Sequence, residues 1–245
     1  MLRLVRTAFA LVALAVATSL IGGAILAIIP WDPRRRGADR LGRAWAWVML
    51  FACGVRLRVE GAERIDPRGR YVFISNHQSA LDIPVLMAGL PNHFGFMAKQ
   101  QLFDIPFFGA VLRRTGCVPV TREEEAKALR AVREAAKQLE GGESVVVFPE
   151  GTRSQTGEML PFKGGGFLLA REAGRPIIPV AIDGTQRILH PRRLLLGRSG
   201  VVRVTLGDPV PAAGRRRTEL AAQTRAWIEA NLHGVHPAGA QRNLN

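Results

Sequence analysis

After residue 56 the chain repeats one pattern: a short unbroken apolar run, a polar turn, then a stretch with helical spacing. The apolar runs fall at residues 71–75, 94–98, 117–120, 145–148, 177–182 and 201–206. Unbroken runs of this length suit strands covered on both faces, as in parallel sheets. Between 123 and 139, Ala126, Leu129, Val132, Ala136 and Leu139 recur at helical spacing, and Gly141-Gly142 ends the run. Thr121 and Glu124 form a capping box at its start. A last helix is predicted over 218–232, carrying Leu220, Trp227 and Ile228. Strands alternating with helices predict one α/β domain over 56–232, with a mixed, largely parallel sheet flanked by helices. Residues 233–245 are polar and read as a flexible tail.

Residues 1–55 follow a different pattern and read as membrane-anchoring helices. No charge interrupts residues 7–31. As one helix this segment would be roughly 35 Å long, enough for a bilayer core of about 30 Å. A cleaved signal peptide, a spanning helix and an interfacial or re-entrant anchor all fit that length. Charge favours an anchored, non-secreted chain. Arg3 and Arg6 precede the run, and Arg34, Arg35, Arg36, Arg40 and Arg43 follow it, so both flanks prefer the cytoplasmic side. Gly22-Gly23 offers a break in the helix. The apolar stretch 41–55, with Trp45 and Trp47, suits an interfacial helix with aromatic anchors.

Net charge changes the picture further. The 245 residues carry +14, and of 34 basic side chains four are lysine and the rest arginine. Such a surface attracts anionic headgroups, nucleic acid or phosphorylated substrates. No nucleic-acid module accompanies the charge, and the apolar N-terminus argues against that partner. Cys53 and Cys117 are too few for a disulfide framework or a metal cluster.

The chemistry gathers after the strands. In Asn76-His77-Gln78-Ser79-Ala80-Leu81-Asp82, a strand delivers His77 to the sheet end, and Ser79 is placed to cap a helix containing Asp82. A carboxylate turned back onto an imidazole makes a general base. Phe148-Pro149-Glu150-Gly151-Thr152-Arg153-Ser154 ends another buried strand, where ligands of open α/β sheets collect. Gly151 allows close backbone approach, and Arg153 offers a fork of donors for phosphate oxygens. Lys99 and Arg122 each follow a strand and are expected at the same cleft. Leu102, Phe103, Ile105, Phe107 and Phe108 form an apolar loop suited to an acyl groove, the bilayer or the core. The glycines after Lys163 suit either an anion cradle or a turn.

Four ordered blocks, at 76–82, 99–122, 148–154 and 178–182, resemble the glycerolipid acyltransferase family, most nearly its bacterial branch acting on 1-acyl-glycerol 3-phosphate. The second block departs from many relatives, with Gln101 in place of an acid and Thr121 in place of an aspartate. The resemblance implies transfer of a fatty acyl group from acyl-CoA or acyl carrier protein to the 2-hydroxyl of lysophosphatidate, with no cofactor and no metal. It implies His77 and Asp82 as the catalytic pair. Asn76, Lys99, Arg122, Glu150, Gly151, Thr152 and Arg153 are implied as substrate-binding, and the inner bacterial membrane as the location, with the site on its cytoplasmic face. The same chemistry on another acceptor, such as a lyso-ornithine lipid or glycerol 3-phosphate, stays open. A metal-dependent hydrolase built on His77, Asp82, His93 and Glu150 is the reading from a different class; its spacing matches no common ligand set.

Overall fold

The structure, a computed structural model of the chain, describes residues 2–120, 125–141 and 143–232. In chain order its helices and strands are α1 (Leu2–Ile28), α2 (Arg36–Ala52), β1 (Val55–Glu60), β2 (Val72–Ser75), α3 (Asp82–Gly89), β3 (Phe94–Lys99), α4 (Gln100–Phe103), α5 (Pro106–Arg114), β4 (Val118–Val120), α6 (Glu125–Glu140), β5 (Ser144–Val147), α7 (Gly165–Glu172), β6 (Ile177–Asp183), α8 (Thr185–Ile188), β7 (Gly200–Leu206) and α9 (Arg217–Ala230). The sheet has seven strands in the order β1-β7-β6-β2-β5-β3-β4. All neighbours are parallel except β6 and β7, which makes the sheet mixed and largely parallel, as the apolar runs predict.

Side-chain alternation builds two cores. Phe73 of β2 and Val146 of β5 point into one cluster with Val85, Leu86 and Phe103. Val72, Ile74, Val145 and Val147 point the other way, onto Leu139, Phe167 and Leu220. Neighbouring positions on a strand face opposite sides, so both faces need apolar residues once helices cover both.

The six predicted strands are all present, and β1 is an addition. Val55, Leu57 and Val59 turn inward and alternate with Arg56, Arg58 and Glu60. β1 is an edge strand paired only with β7, and Arg203 of β7 reaches Glu60 at 3.0 Å. Strand formation therefore begins inside the stretch read as anchor. The capping box of Thr121 and Glu124 lies outside the described residues, as does the tail after Leu232.

At the N-terminus, α1 runs unbroken through Gly22-Gly23. Gly22 has a packing role: a Cβ there would stand 2.9 Å from the Phe107 ring of α5. Asp32 starts α2 by accepting the Gly37 and Ala38 amides at 2.7 and 2.9 Å. α2 then returns antiparallel along α1, with Gly37 against Ile28 and the Trp45 indole donating to Thr18 at 3.0 Å. Trp45 is thus turned into the hairpin, whereas Trp47 faces out. Residues 3–31 contain an 18-residue stretch with a mean hydropathy of 2.5, enough by length and composition to cross a membrane.

Candidate active site

Three parallel strands deliver the candidate residues to one edge. Ile74 of β2 is level with Val147 of β5, and Val146 with Phe96 of β3. The residues leaving these strands, Asn76-His77, Pro149-Glu150 and Lys99, therefore meet at the carboxyl edge of the sheet.

Asn76 anchors the exit from β2. It is fully buried, its Nδ2 donates to the Ile182 carbonyl at 2.9 Å, and the Ile182 amide donates to its Oδ1 at 2.8 Å. Both ends of the carboxamide are occupied by β6, which ties the loop carrying His77 to that strand. The next residue, His77, has its Nδ1 at 2.8 Å from Oδ2 of Asp82. The same oxygen accepts the Gln78 and Ser79 amides at 2.7 and 2.9 Å. A carboxylate only accepts, so the proton sits on Nδ1 and Nε2 presents its lone pair. Asp82 is wholly buried, while 16% of the His77 side chain is exposed. Ser79 does not cap the helix, which starts at Asp82 after Leu81. Its hydroxyl donates to the Leu189 carbonyl at 2.7 Å and accepts the Leu81 amide at 3.2 Å.

Glu150, expected to meet substrate, is turned onto backbone. Its side chain is buried, and its two oxygens accept the backbone amides of His77 at 2.8 Å and Leu160 at 2.9 Å. Burial pushes its carboxyl above the usual range, and the two amides oppose that shift. Three more bonds tie the 150–160 loop in place. The Ser154 amide donates to the His77 carbonyl at 2.8 Å, Gln78 Nε2 to the Gly157 carbonyl at 3.0 Å, and Arg225 of α9 to the Leu160 carbonyl at 2.7 Å. The imidazole lies 4.0 Å from the Phe148 ring, nearly parallel to it, and Phe96 stacks behind at 6.2 Å. Phe148 and Arg225 are functional candidates missed by the sequence reading. A phenylalanine directly after an apolar strand was visible, but which face it turns to the histidine was not.

The cationic side of the edge is open to solvent. Lys99, Thr152 and Arg153 are exposed, and so is Lys163. Gly151 has a φ of +72°, and a Cβ there would stand 3.3 Å from the end of the Lys163 side chain. Lys163 therefore sits over the turn, a role the glycines after it did not reveal. Arg122 lies outside the described residues; Val120, two positions before it, pairs with Lys99. His93 is at the other end of β3, 2.5 Å from Asp39 of α2, so it does not join His77 and Glu150 as the hydrolase reading required. Among the described residues no three His, Cys, Asp or Glu side chains gather to hold a metal ion.

A cavity of about 590 Å³ opens between α1, α2, α5 and the sheet, apolar along Ile21, Ile25, Met87, Phe96, Val111 and Leu112 and charged along Arg35, Asp39, Arg43 and Glu143. Phe96 links it to the Phe148–His77 stack, and Ile83, the neighbour of Asp82, also lines it. The stretch 102–108, expected as a loop, is largely helical in α4 and α5: Phe108 faces this space, Phe103 belongs to the core, and Leu102, Ile105 and Phe107 are exposed.

An imidazole oriented by a buried carboxylate thus stands at a basic sheet edge, beside a largely apolar cavity with one charged wall. Residues 56–183 match the profile of the Acyltransferase family, and the chain belongs to that family. It is 34% identical to the 1-acyl-sn-glycerol-3-phosphate acyltransferase alpha of Ovis aries, over 81% of this chain and 70% of that protein. The chloroplastic 1-acyl-sn-glycerol-3-phosphate acyltransferase of Arabidopsis thaliana is 32% identical over 75% of this chain, which spans about half that relative's length (51%). The crystal structure of the 1-acyl-sn-glycerophosphate acyltransferase PlsC from Thermotoga maritima aligns with a TM-score of 0.79 at 28% identity, covering 94% of this chain and 95% of that one.

Proposed function

We propose that this acyltransferase moves a fatty acyl group from an acyl-CoA or acyl carrier protein thioester to the 2-hydroxyl of 1-acyl-glycerol 3-phosphate, forming phosphatidic acid. The observation that carries the reading is the 2.8 Å pair of His77 Nδ1 and Asp82 Oδ2, set at a basic edge next to a largely apolar cavity. The names of the relatives support the acceptor. In this reading the hydroxyl oxygen attacks the thioester carbonyl carbon while its proton passes to His77 Nε2. Asp82 stabilises the imidazolium that forms. The tetrahedral intermediate then expels the thiolate, which takes the proton back from Nε2 and departs as free thiol. The thioester is already activated, so neither an enzyme nucleophile nor a metal enters. Phe148 supports the ring, and Asn76 and Glu150 hold the loop that carries it.

Lys99, Arg153 and Lys163 take the acceptor's phosphate, joined by Arg122 and the Gly151-Thr152 turn on the strength of the family motif. The cavity takes an acyl chain; its volume lies within the roughly 300–1,000 Å³ of ligand pockets. Residues 1–55 anchor the domain to a bacterial inner membrane from its cytoplasmic side. An anchor lying along the interface suits α1, because Arg6 in its second turn meets the Gly197 carbonyl and α2 folds back beside it. An acceptor panel tests the reading: purified protein, one radiolabelled acyl thioester, and lysolipids with and without phosphate. Lysophosphatidate should be used best, and His77→Ala should lose roughly 10²–10⁴ in rate. Equal use of phosphate-free lysolipids would refute the acceptor assignment, and near-normal turnover of the variant would refute the base.

A further inference from the structure

The loop between α8 and β7 has no part in the chemistry above, yet its surface is unusual. Leu194 is 92% exposed and Leu195 47%. Arg192, Arg193 and Arg198 flank them, all exposed. The base of the loop is firmly held. The Gly197 amide donates to the Ile188 carbonyl at 2.7 Å, the Leu196 amide to Thr7 Oγ1 of α1 at 3.1 Å, and Leu196 itself is buried. A fixed loop presenting two leucines to water is costly unless something apolar covers them.

Its position says what covers it. The loop follows the carboxyl end of β6, the edge that carries His77, and the Leu189 carbonyl accepts the Ser79 hydroxyl at 2.7 Å. Across the same edge, Leu102, Ile105 and Phe107 of the α4–α5 segment are exposed after Lys99. Against the loop base lies the start of α1, whose Leu4 and Val5 are exposed too. The leucines thus continue the apolar face of α1, and the arginines around them match an anionic headgroup layer.

We propose that residues 190–198 form a second membrane contact, adjoining the α1–α2 hairpin. Leu194 and Leu195 enter the acyl boundary of an anionic leaflet, and Arg192, Arg193 and Arg198 rest on its headgroups. This contact turns the His77 edge toward the bilayer, so a lipid hydroxyl reaches the imidazole without leaving the membrane. The inference builds on the lipid acceptor proposed above, but its test does not depend on turnover.

The test is a single-cysteine label. The native cysteines, Cys53 and Cys117, are buried. Leu194→Cys in the full chain is labelled with an environment-sensitive fluorophore and mixed with vesicles of anionic or zwitterionic lipid, with or without a bilayer-confined quencher. Glu172→Cys, exposed at the end of α7, serves as the water-facing control. The proposal expects a blue shift and quenching at position 194, stronger with anionic lipid, and neither at position 172. Replacing Arg192 and Arg193 with Gln should remove the anionic preference. A label at 194 that stays as accessible to aqueous iodide with vesicles as without would overturn the proposal, even if acyl transfer proceeds. A shift produced by acyl carrier protein but not by vesicles would also overturn it, in favour of a protein-docking loop. Loss of acyl transfer with every acceptor, alongside normal quenching, would instead remove the functional reading and leave the membrane contact standing.

Discussion

Replacing Asp82 with asparagine separates charge from geometry. Oδ2 accepts three N–H groups, from His77, Gln78 and Ser79, whereas the buried Oδ1 has no hydrogen-bond partner among the described residues. An asparagine seated with its oxygen in the Oδ2 position keeps all three bonds and puts its amide where Oδ1 was. The loop therefore keeps its shape and the imidazolium loses its counter-charge. Two unit charges roughly 4 Å apart at an effective dielectric near 20 interact by about 4 kcal/mol. At about 1.4 kcal/mol per decade, D82N should lower kcat by about 10³-fold. The acceptor KM should hold, because Asp82 is out of substrate's reach, and Tm should stay within about 4 °C of the parent. Asp82→Ala is the contrast: it strands three donors at about 1–3 kcal/mol each and should melt far lower. Initial rates with a radiolabelled thioester, read beside thermal melts, decide the matter. A D82N enzyme within tenfold of the parent at unchanged Tm would refute the claim that the carboxylate acts by charge.

Glu150→Gln loses one of the two acceptors that hold the His77 and Leu160 amides, so kcat should drop severalfold with little change in acceptor KM. A rise in KM alone would restore the substrate-binding role. The raised Glu150 carboxyl means the folded state takes up the proton more readily than the unfolded one. Its stabilising contribution is fully present below the unfolded value and is lost as pH rises through the folded one. Parent minus E150Q stability should therefore increase as pH falls through the raised folded value toward the ordinary carboxylate range, as differential melts will show. Arg153→Ala should raise the acceptor KM several-fold with kcat nearly kept; a collapsed kcat at constant KM would mark a catalytic role instead. Val111→Trp, which fills part of the cavity, should shift the donor or acceptor profile toward shorter chains in a competition assay. Activity should survive prolonged dialysis against a chelator; its loss, restored by one metal, would reopen the hydrolase chemistry.

Asp82 and Glu150 illustrate the limits of reading along the chain. His77 and Asp82 are local partners, five residues apart across one turn, so their pairing was visible in sequence. Asn76 and Glu150 stand in the same blocks, but their partners, Ile182 and Leu160, lie beyond the local turn. A polar residue beside a site reads as substrate-facing until its hydrogen bonds are counted, and these two are spent on backbone. β1 is hard to see in the sequence for a related reason: its charged residues alternate with apolar ones, as an edge strand permits, and it lacks the unbroken apolar run of the covered strands.

The six apolar strands, the covered sheet, the apolar N-terminus and the histidine–aspartate pair were determined by the sequence alone, because periodicity, turn residues and short-range spacing act locally. Tertiary structure alone decided that β7 runs against β6, that Phe148 lies flat on His77, that Lys163 rests on Gly151 and that α1, α2 and α5 enclose a cavity. Each of these joins residues distant along the chain, and the packing that brings them together is a property of the whole fold that no local pattern encodes.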